Sequence, residues 1–442
     1  MKSIKLIILI LLILPLPALA QDEYSFDLSE IEKEIEKKPY TIGGYLELTP
    51  KVFFLDHDAA FYRLSFYDRQ EQDYLDEYNF KLSMNGGYTK GISEIYIRSN
   101  ITRTESDIDS GTDIIIDEGY LSFKPSSALN ISIGKKVLKW GKGYAWNPVG
   151  FAGRPKNPDD PDLALEGYIM ATADYIKSFS GPLKVMSATP VIIPVYDHVN
   201  TDFGIRNNTN YAGKLYLLLY DTDIDVMFLK GNSRPSRFGA DFSRNITSNF
   251  EIHGEIAFID DIIKKTVDSA GTITQSTDDR ESFLFGTRYL TESDTTLIFE
   301  YYRNGTGFTG EEMEGFFGLV DDGFTAYRSS GDETLLKKAR RVTEGNYGKS
   351  NPMRDYLYLR ISQKEPFDIL YFTPSVTCIY NIEDTSFSLS PEILYTGITN
   401  LEVRLKAAFI AGHENTEFGE KQNDYRAELR VRYYFDAAKF LD

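Results

Sequence analysis

The chain has one cysteine, two tryptophans and four histidines in 442 residues, and its acidic side chains outnumber the basic ones enough to give a formal charge of −18. Each scarcity excludes something. The lone Cys378 rules out an intramolecular disulfide, and with it the disulfide-stapled class of small secreted folds. His57, His198, His253 and His413 are scattered, with no metal-ligand spacing, and no serine-elbow motif occurs. No Cys-x-x-Cys-His haem attachment is present, so no cofactor is expected. Asp107, Asp109 and Asp113 around Gly111 miss the EF-hand spacing and read as a solvated acidic loop. The shortage of basic charge argues against a nucleic-acid partner, since phosphate binding needs a basic surface.

Long apolar runs are also scarce, and the one that exists lies at the start. Met1-Lys2-Ser3-Ile4-Lys5 precedes an apolar stretch from Leu6 to Leu19, and Ala18-Leu19-Ala20 supplies a small-x-small site. This order describes a signal peptide over residues 1–20, because the run falls short of the roughly 20 residues of a spanning helix. Residues 21–39 differ in kind. Phe26, Leu28, Ile31 and Ile35 fall at near-helical spacing among charged residues, and Pro39 ends the pattern, so a short amphipathic helix is expected there.

What the chain does have is aromatics, 30 Tyr and 29 Phe, and alternation. From Tyr40 onward, residues 40–442 read as strand, connection, strand. Strands are expected near 40–54, 74–85, 91–103, 113–124, 129–140, 167–177, 182–194, 210–220 and 222–231. A second set falls near 235–243, 249–259, 281–290, 294–303, 354–363, 367–380, 384–396, 399–411 and 423–435. These make about eighteen strands, with sixteen or twenty as the neighbouring even solutions, and most are long enough for a tilted membrane strand.

Connections give an independent test. Gly86-Gly87, Pro125-Ser126-Ser127, Ser180-Gly181-Pro182, Asp221, Thr247-Ser248, Glu292-Ser293, Glu365-Pro366 and Gly397-Ile398 are tight. Between them come long connections, notably 55–73, 141–166, 195–209, 260–280, 304–353 and 412–422. Two, near 232–234 and 381–383, are short. Tight turns alternating with long loops fit a membrane barrel, and a structureless fifty-residue loop would be odd in a soluble domain. The fold expected is all-β: a single transmembrane antiparallel barrel behind a short N-terminal helix.

The faces of the strands differ in chemistry. Leu401, Val403, Leu405, Ala407 and Phe409 alternate with Glu402, Arg404 and Lys406. In 425–435 the aromatic and aliphatic positions alternate with Arg426, Glu428, Arg430 and Arg432. A midplane Arg or Lys on the lipid side costs roughly 2–4 kcal/mol, so the charged set faces the lumen. Two readings of that set stay open: a positive stripe that favours anions, or ion pairs that stiffen the wall.

Two stretches carry a resemblance. The strand ending Tyr433-Tyr434-Phe435 resembles the C-terminal strand of bacterial outer-membrane barrels, although Asp436–Asp442 follows the aromatic end. Gly134-Lys135-Lys136-Val137-Leu138-Lys139-Trp140-Gly141, continuing through Lys142, Trp146, Arg154 and Lys156, resembles a strand-to-loop element of large proteobacterial porins, including those related to alginate-export channels. The resemblance implies a loop folded toward the pore, with Lys135, Lys139, Lys142, Arg154 and Lys156 near a constriction. It also implies outer-membrane lipid and lipopolysaccharide as surroundings, and the barrel-assembly machinery as a partner. The function then expected is passive diffusion of small hydrophilic solutes, anions if the positive stripe is uncompensated. An occluded receptor or envelope-assembly barrel is the alternative, and an outer-membrane hydrolase ranks behind both. The sequence does not fix the oligomeric state.

Overall fold

The computed structural model describes residues 39–436, so the expected signal peptide and N-terminal helix lie outside the described residues. Eighteen antiparallel strands follow one another around a closed sheet. They are β1 (Tyr40–Leu55), β2 (Tyr74–Lys90), β3 (Ser93–Ser106), β4 (Ser110–Ser126), β5 (Leu129–Lys136) and β6 (Tyr168–Ser178). Next come β7 (Leu183–Val195), β8 (Asn208–Leu219), β9 (Thr222–Lys230), β10 (Arg237–Thr247), β11 (Phe250–Val267) and β12 (Ile273–Leu290). The circuit ends with β13 (Thr295–Arg303), β14 (Asp355–Gln363), β15 (Phe372–Asn381), β16 (Phe387–Ile398), β17 (Leu401–Ala411) and β18 (Asn423–Asp436). Each strand pairs with its sequence neighbours, and β1 closes the ring on β18 from Gly43↔Asp436 to Leu55↔Asn423. Closure leaves no unpaired edge, which is the condition for crossing lipid with strands. No helix among the described residues is long and apolar enough to cross a membrane.

The outer face is apolar. Leu46, Phe80, Ile97, Ile133, Phe285, Leu405 and Tyr433 stand 47–60% exposed. Their sequence neighbours on the other parity, such as Ser83, Asn100, Ser132, Glu300 and Lys406, are at most 8% exposed. This inversion, apolar out and polar in, is the pattern of a barrel in lipid.

Both chain ends of the barrel lie at the end whose connections are mostly tight turns, and the long connections all lie at the other, where 107–109, 231–236, 268–272 and 382–386 are short. Six expectations need correction. Gly111 and Asp113 are not loop but part of β4, paired with Thr104 and Thr102, which leaves only 107–109 as the acidic turn. The connection at Glu365-Pro366 is not tight and runs over 364–371. Gly86 and Gly87 are not a turn: they continue β2, paired with Ile42 and Thr41, and the turn comes at Gly91, whose φ of +60° suits glycine. Residues 260–280 are largely strand, for β11 and β12 stay paired out to Val267↔Ile273 beyond their neighbours. Strand β5 stops at Lys136, not residue 140, because the Val137 amide leaves the ladder and donates to the Glu118 carboxylate. The long 304–353 connection is mostly helical.

That connection carries helix α2 (Gly310–Ser330) and helix α3 (Thr334–Val342), and the β1–β2 connection carries helix α1 (Ala60–Phe66). A capping box closes the start of α2, with Thr309 Oγ1 accepting from the Glu312 amide and Glu312 Oε2 accepting from the Thr309 amide. Gly331 ends it at φ 75°. Met313, Phe316, Phe317 and Val320 recur at helical spacing and are buried. Tyr347 stacks between Phe308 and Phe316, with ring centroids 4.0 and 4.5 Å away, and Arg63 of α1 bonds Asp321 of α2 at 2.5 Å. The three helices form a lid at the long-loop end.

Candidate functional site

The 137–167 connection does not stay outside; it turns into the barrel and meets inward-facing side chains around most of the wall. Its first arm is held by two buried carboxylates. Glu255 of β11 accepts the Lys142 and Gly143 amides, each at 2.6 Å, and the Val149 amide at 3.3 Å. Glu300 of β13 accepts the amides of Tyr144 and, at 2.9 Å, Ala145. His253 Nε2 lies 3.0 Å from the same Glu300 carboxylate, and Gly286 leaves the space that ring occupies. Successive backbone N–H groups thus enclose each carboxylate, and charge-assisted bonds of this kind are stronger than neutral ones. Gly141 permits the turn at φ +100°, where a Cβ would come 2.7 Å from Glu255 Oε1.

Side chains reinforce the arm. Lys142 Nζ reaches Asp225 of β9 at 2.9 Å, with Asp241 of β10 beside it at 3.9 Å. Trp146 stacks on Tyr302 at 5.0 Å and lies against Tyr356 and Tyr358. Trp140, Val149 and Phe151 are buried with Ile193, Met227 and Leu229 from β7 and β9. Lys156 turns back on its own loop, donating to the Gly143 carbonyl.

The second arm crosses to the wall of β17 and β18. Asp160 meets Arg430 at 2.9 Å and Arg404 at 3.5 Å. Asp159 faces Arg426 at 3.7 Å, and its carbonyl accepts from Lys406 Nζ at 2.5 Å. The loop then returns toward β3 and β5: Arg98 donates to the Leu165 carbonyl at 2.9 Å, and Glu166 pairs with Lys135 and, at 3.0 Å, with Arg154. Arg154 also pairs with Asp202.

All the wall residues singled out in the sequence share the lumen side. Arg432 bonds Glu47 at 2.6 Å and approaches Glu402 at 3.8 Å; Arg430 also reaches Glu428 at 3.1 Å; Arg404 has Glu392 and Glu402 at 3.8 Å. The structure therefore brings the basic stripe together with an acidic set of comparable size. Of the loop residues, Lys135, Lys142, Trp146, Arg154 and Lys156 make the contacts given, and Trp140 packs into the wall as described. Lys139 lies past the end of β5 and makes no hydrogen bond or ion pair among the described residues. What the sequence does not reveal is the partners of the acidic half. Glu255 and Glu300 read as lumen acids and Asp159 and Asp160 as loop residues, but no loop- or arginine-holding role is legible for these, nor for Glu47, Asp225, Asp241 and Glu392. Parity marks the strand members as inward, but nothing local separates a loop-holding carboxylate from any other lumen acid.

Above the second arm, beneath the lid, lies a cavity of about 300 Å³ reached by Phe61 of α1, Asp159, Arg426 and the 412–422 loop.

No family model matches the sequence, and no curated protein matches it. Solved structures are similar in architecture. An OccK5 (OpdH) structure from Pseudomonas aeruginosa is 12% identical with a TM-score of 0.49, over 90% of this chain and 98% of that one. OccK11 (OpdR) of the same organism is 11% identical at 0.48, over 89% and 96%. A triple mutant of Rhodopseudomonas blastica porin is 10% identical at 0.44, over 90% and 100%. The similarity is distant, so the functional reading rests on this chain's own lumen.

Proposed function

We propose that the chain is an outer-membrane channel through which small hydrophilic solutes diffuse, with the 137–167 loop as its constriction. The observation that carries this reading is the pairing of an apolar outer face with a charged inner face crossed by a loop tied to opposite walls. Eighteen strands enclose more space than wall side chains can fill, so a loop is needed to set the bore. An anion preference from Arg404, Lys406, Arg426, Arg430 and Arg432 is weak on this reading. Glu47, Glu392, Glu402, Glu428, Asp159 and Asp160 stand against them and cancel most of the field along the stripe. The tight-turn end faces the periplasm and the lid faces outward.

The helical lid favours a second reading, an occluded barrel whose outer surface receives a partner. Purified protein in planar bilayers separates the two. Stable conductance steps, with a reversal potential near zero in asymmetric potassium chloride, are expected of the channel. Silence from correctly inserted protein gives the occluded reading its place.

A further inference from the structure

The cavity under the lid differs from the constriction below it in how its charges are met. In the stripe, Arg430 and Arg432 hold carboxylates at 2.9 and 2.6 Å. In the cavity, Arg426 has Asp159 only at 3.7 Å, beyond hydrogen-bond range. Lys421 keeps its ammonium 5.5 Å from the centre of the Phe61 ring, and its acidic neighbour, the buried Glu417 on the same loop, stands beyond ion-pair distance. Asn351, also on the lining, has a buried side-chain oxygen without a hydrogen-bond partner. One acid and two loosely met cations therefore face the same space. Ile379, Ile410 and Phe418 join Phe61 as the apolar part of the lining.

We propose that this cavity binds a zwitterionic solute with an apolar side chain, of the size of free leucine, before it passes the constriction. At ~30 Å³ for each water-sized group, the volume holds on the order of ten such groups, close to the non-hydrogen atoms of leucine. The solute's carboxylate takes Arg426 and Lys421, its ammonium takes Asp159, and its side chain covers the rings. A plain anion would meet Asp159 unshielded, and a plain cation would meet Arg426 and Lys421. A neutral polyol would have to part Asp159 from Arg426 without replacing either charge, and unpaired charges out of bulk water are costly. Only a solute carrying both signs leaves every charge met. The proposal rests on the channel reading for the site's place on a solute path, but its binding chemistry stands apart.

The test is calorimetric titration of the purified full-length barrel in detergent with L-leucine, 4-methylpentanoate, which keeps only the carboxylate, and 3-methylbutylamine, which keeps only the ammonium. Leucine is expected to bind at least tenfold more tightly than either. Arg426→Gln and Asp159→Asn should each weaken it at least fivefold, and Lys421→Gln, on the outer loop and away from the wall, by a smaller factor. Equal affinity for the three probes, or unchanged affinity in the Lys421 and Arg426 variants, overturns the proposal. In bilayers, leucine should also reduce the current saturably. Conductance without leucine block or binding leaves the channel and removes the site; leucine binding without conductance supports the site and removes the channel.

Discussion

Glu255 shows how much one inward side chain decides. Its carboxylate satisfies three backbone amides of the inserted loop, and each would be left unpaired in Glu255→Ala at about 1–3 kcal/mol. The variant barrel should form, since its strands do not need the loop, but the arm near Lys142 should come free. Larger and noisier conductance steps than those of the unchanged chain are expected in bilayers; identical steps would show that Glu300 and the Trp146 stack hold the arm without it. Glu417, on the outer 412–422 loop, offers a pH test. It accepts from the Tyr356 hydroxyl at 2.6 Å and from Asn381 at 2.9 Å. Burial pushes its carboxyl up to about 7, against the pull of Lys421 and the Tyr356 hydrogen bond. An unfolded glutamate titrates near ~4.3, so the folded chain holds the extra proton in the window between. The sign follows: this contribution is full below ~4.3 and is lost as pH rises through about 7. The thermal midpoint in detergent should therefore fall from acid to neutral pH more steeply than that of Glu417→Gln. Parallel curves for the two would refute the assignment.

At the scale of elements, alternation made the strands legible, because a face that meets lipid cannot carry Arg404 or Arg430 while its opposite can. Misreadings came where a local signal had two meanings. Gly86-Gly87 looks like a turn, yet Tyr88-Thr89-Lys90 extends the same strand. The lid was also written in the sequence: Thr309 and Glu312 make a capping box, Met313, Phe316, Phe317 and Val320 keep helical spacing, and Gly331 ends the run. Length alone had made that stretch look like a loop. The inserted arm is a different matter. Its glycines and aromatics are visible, but its acceptors lie more than a hundred residues away on β11 and β13, and a single sequence does not report such pairings. The capping box gives this scale its prediction. Thr309→Ala removes one of two reciprocal bonds at a typical loss of ~1 kcal/mol. Hydrogen exchange at the first-turn amides of α2 should speed up, while exchange in the β17 and β18 strands stays unchanged. Equal acceleration in both would mean that the lid and barrel open as one unit.

For the whole molecule, the question is what field a permeating ion meets. The net charge of −18 says little about it, because the lumen wall near β17 and β18 sets basic residues against acids one by one. Glu47, Glu402, Glu428 and Asp160 all lie within 4 Å of Arg430 or Arg432. Removing those two arginines strips the balance from one side only. In the double variant Arg430→Gln, Arg432→Gln, the glutamines keep hydrogen bonding and approximate size, so the barrel should still assemble, with a lower thermal midpoint from acids left unpaired. Two uncovered negative charges then face the bore. At about 10 Å in a water-like dielectric, each shifts a monovalent ion by ~0.4 kcal/mol before screening. Because cations gain what anions lose, the two charges separate them by ~1.7 kcal/mol before screening, and screening over about one Debye length leaves a rise of about threefold in the cation-to-anion permeability ratio. Reversal potentials in asymmetric potassium chloride read that ratio directly. A ratio equal to that of the unchanged chain, in protein that inserts and conducts, would place the ion path away from this wall, on the far side of the Asp159–Asp160 arm.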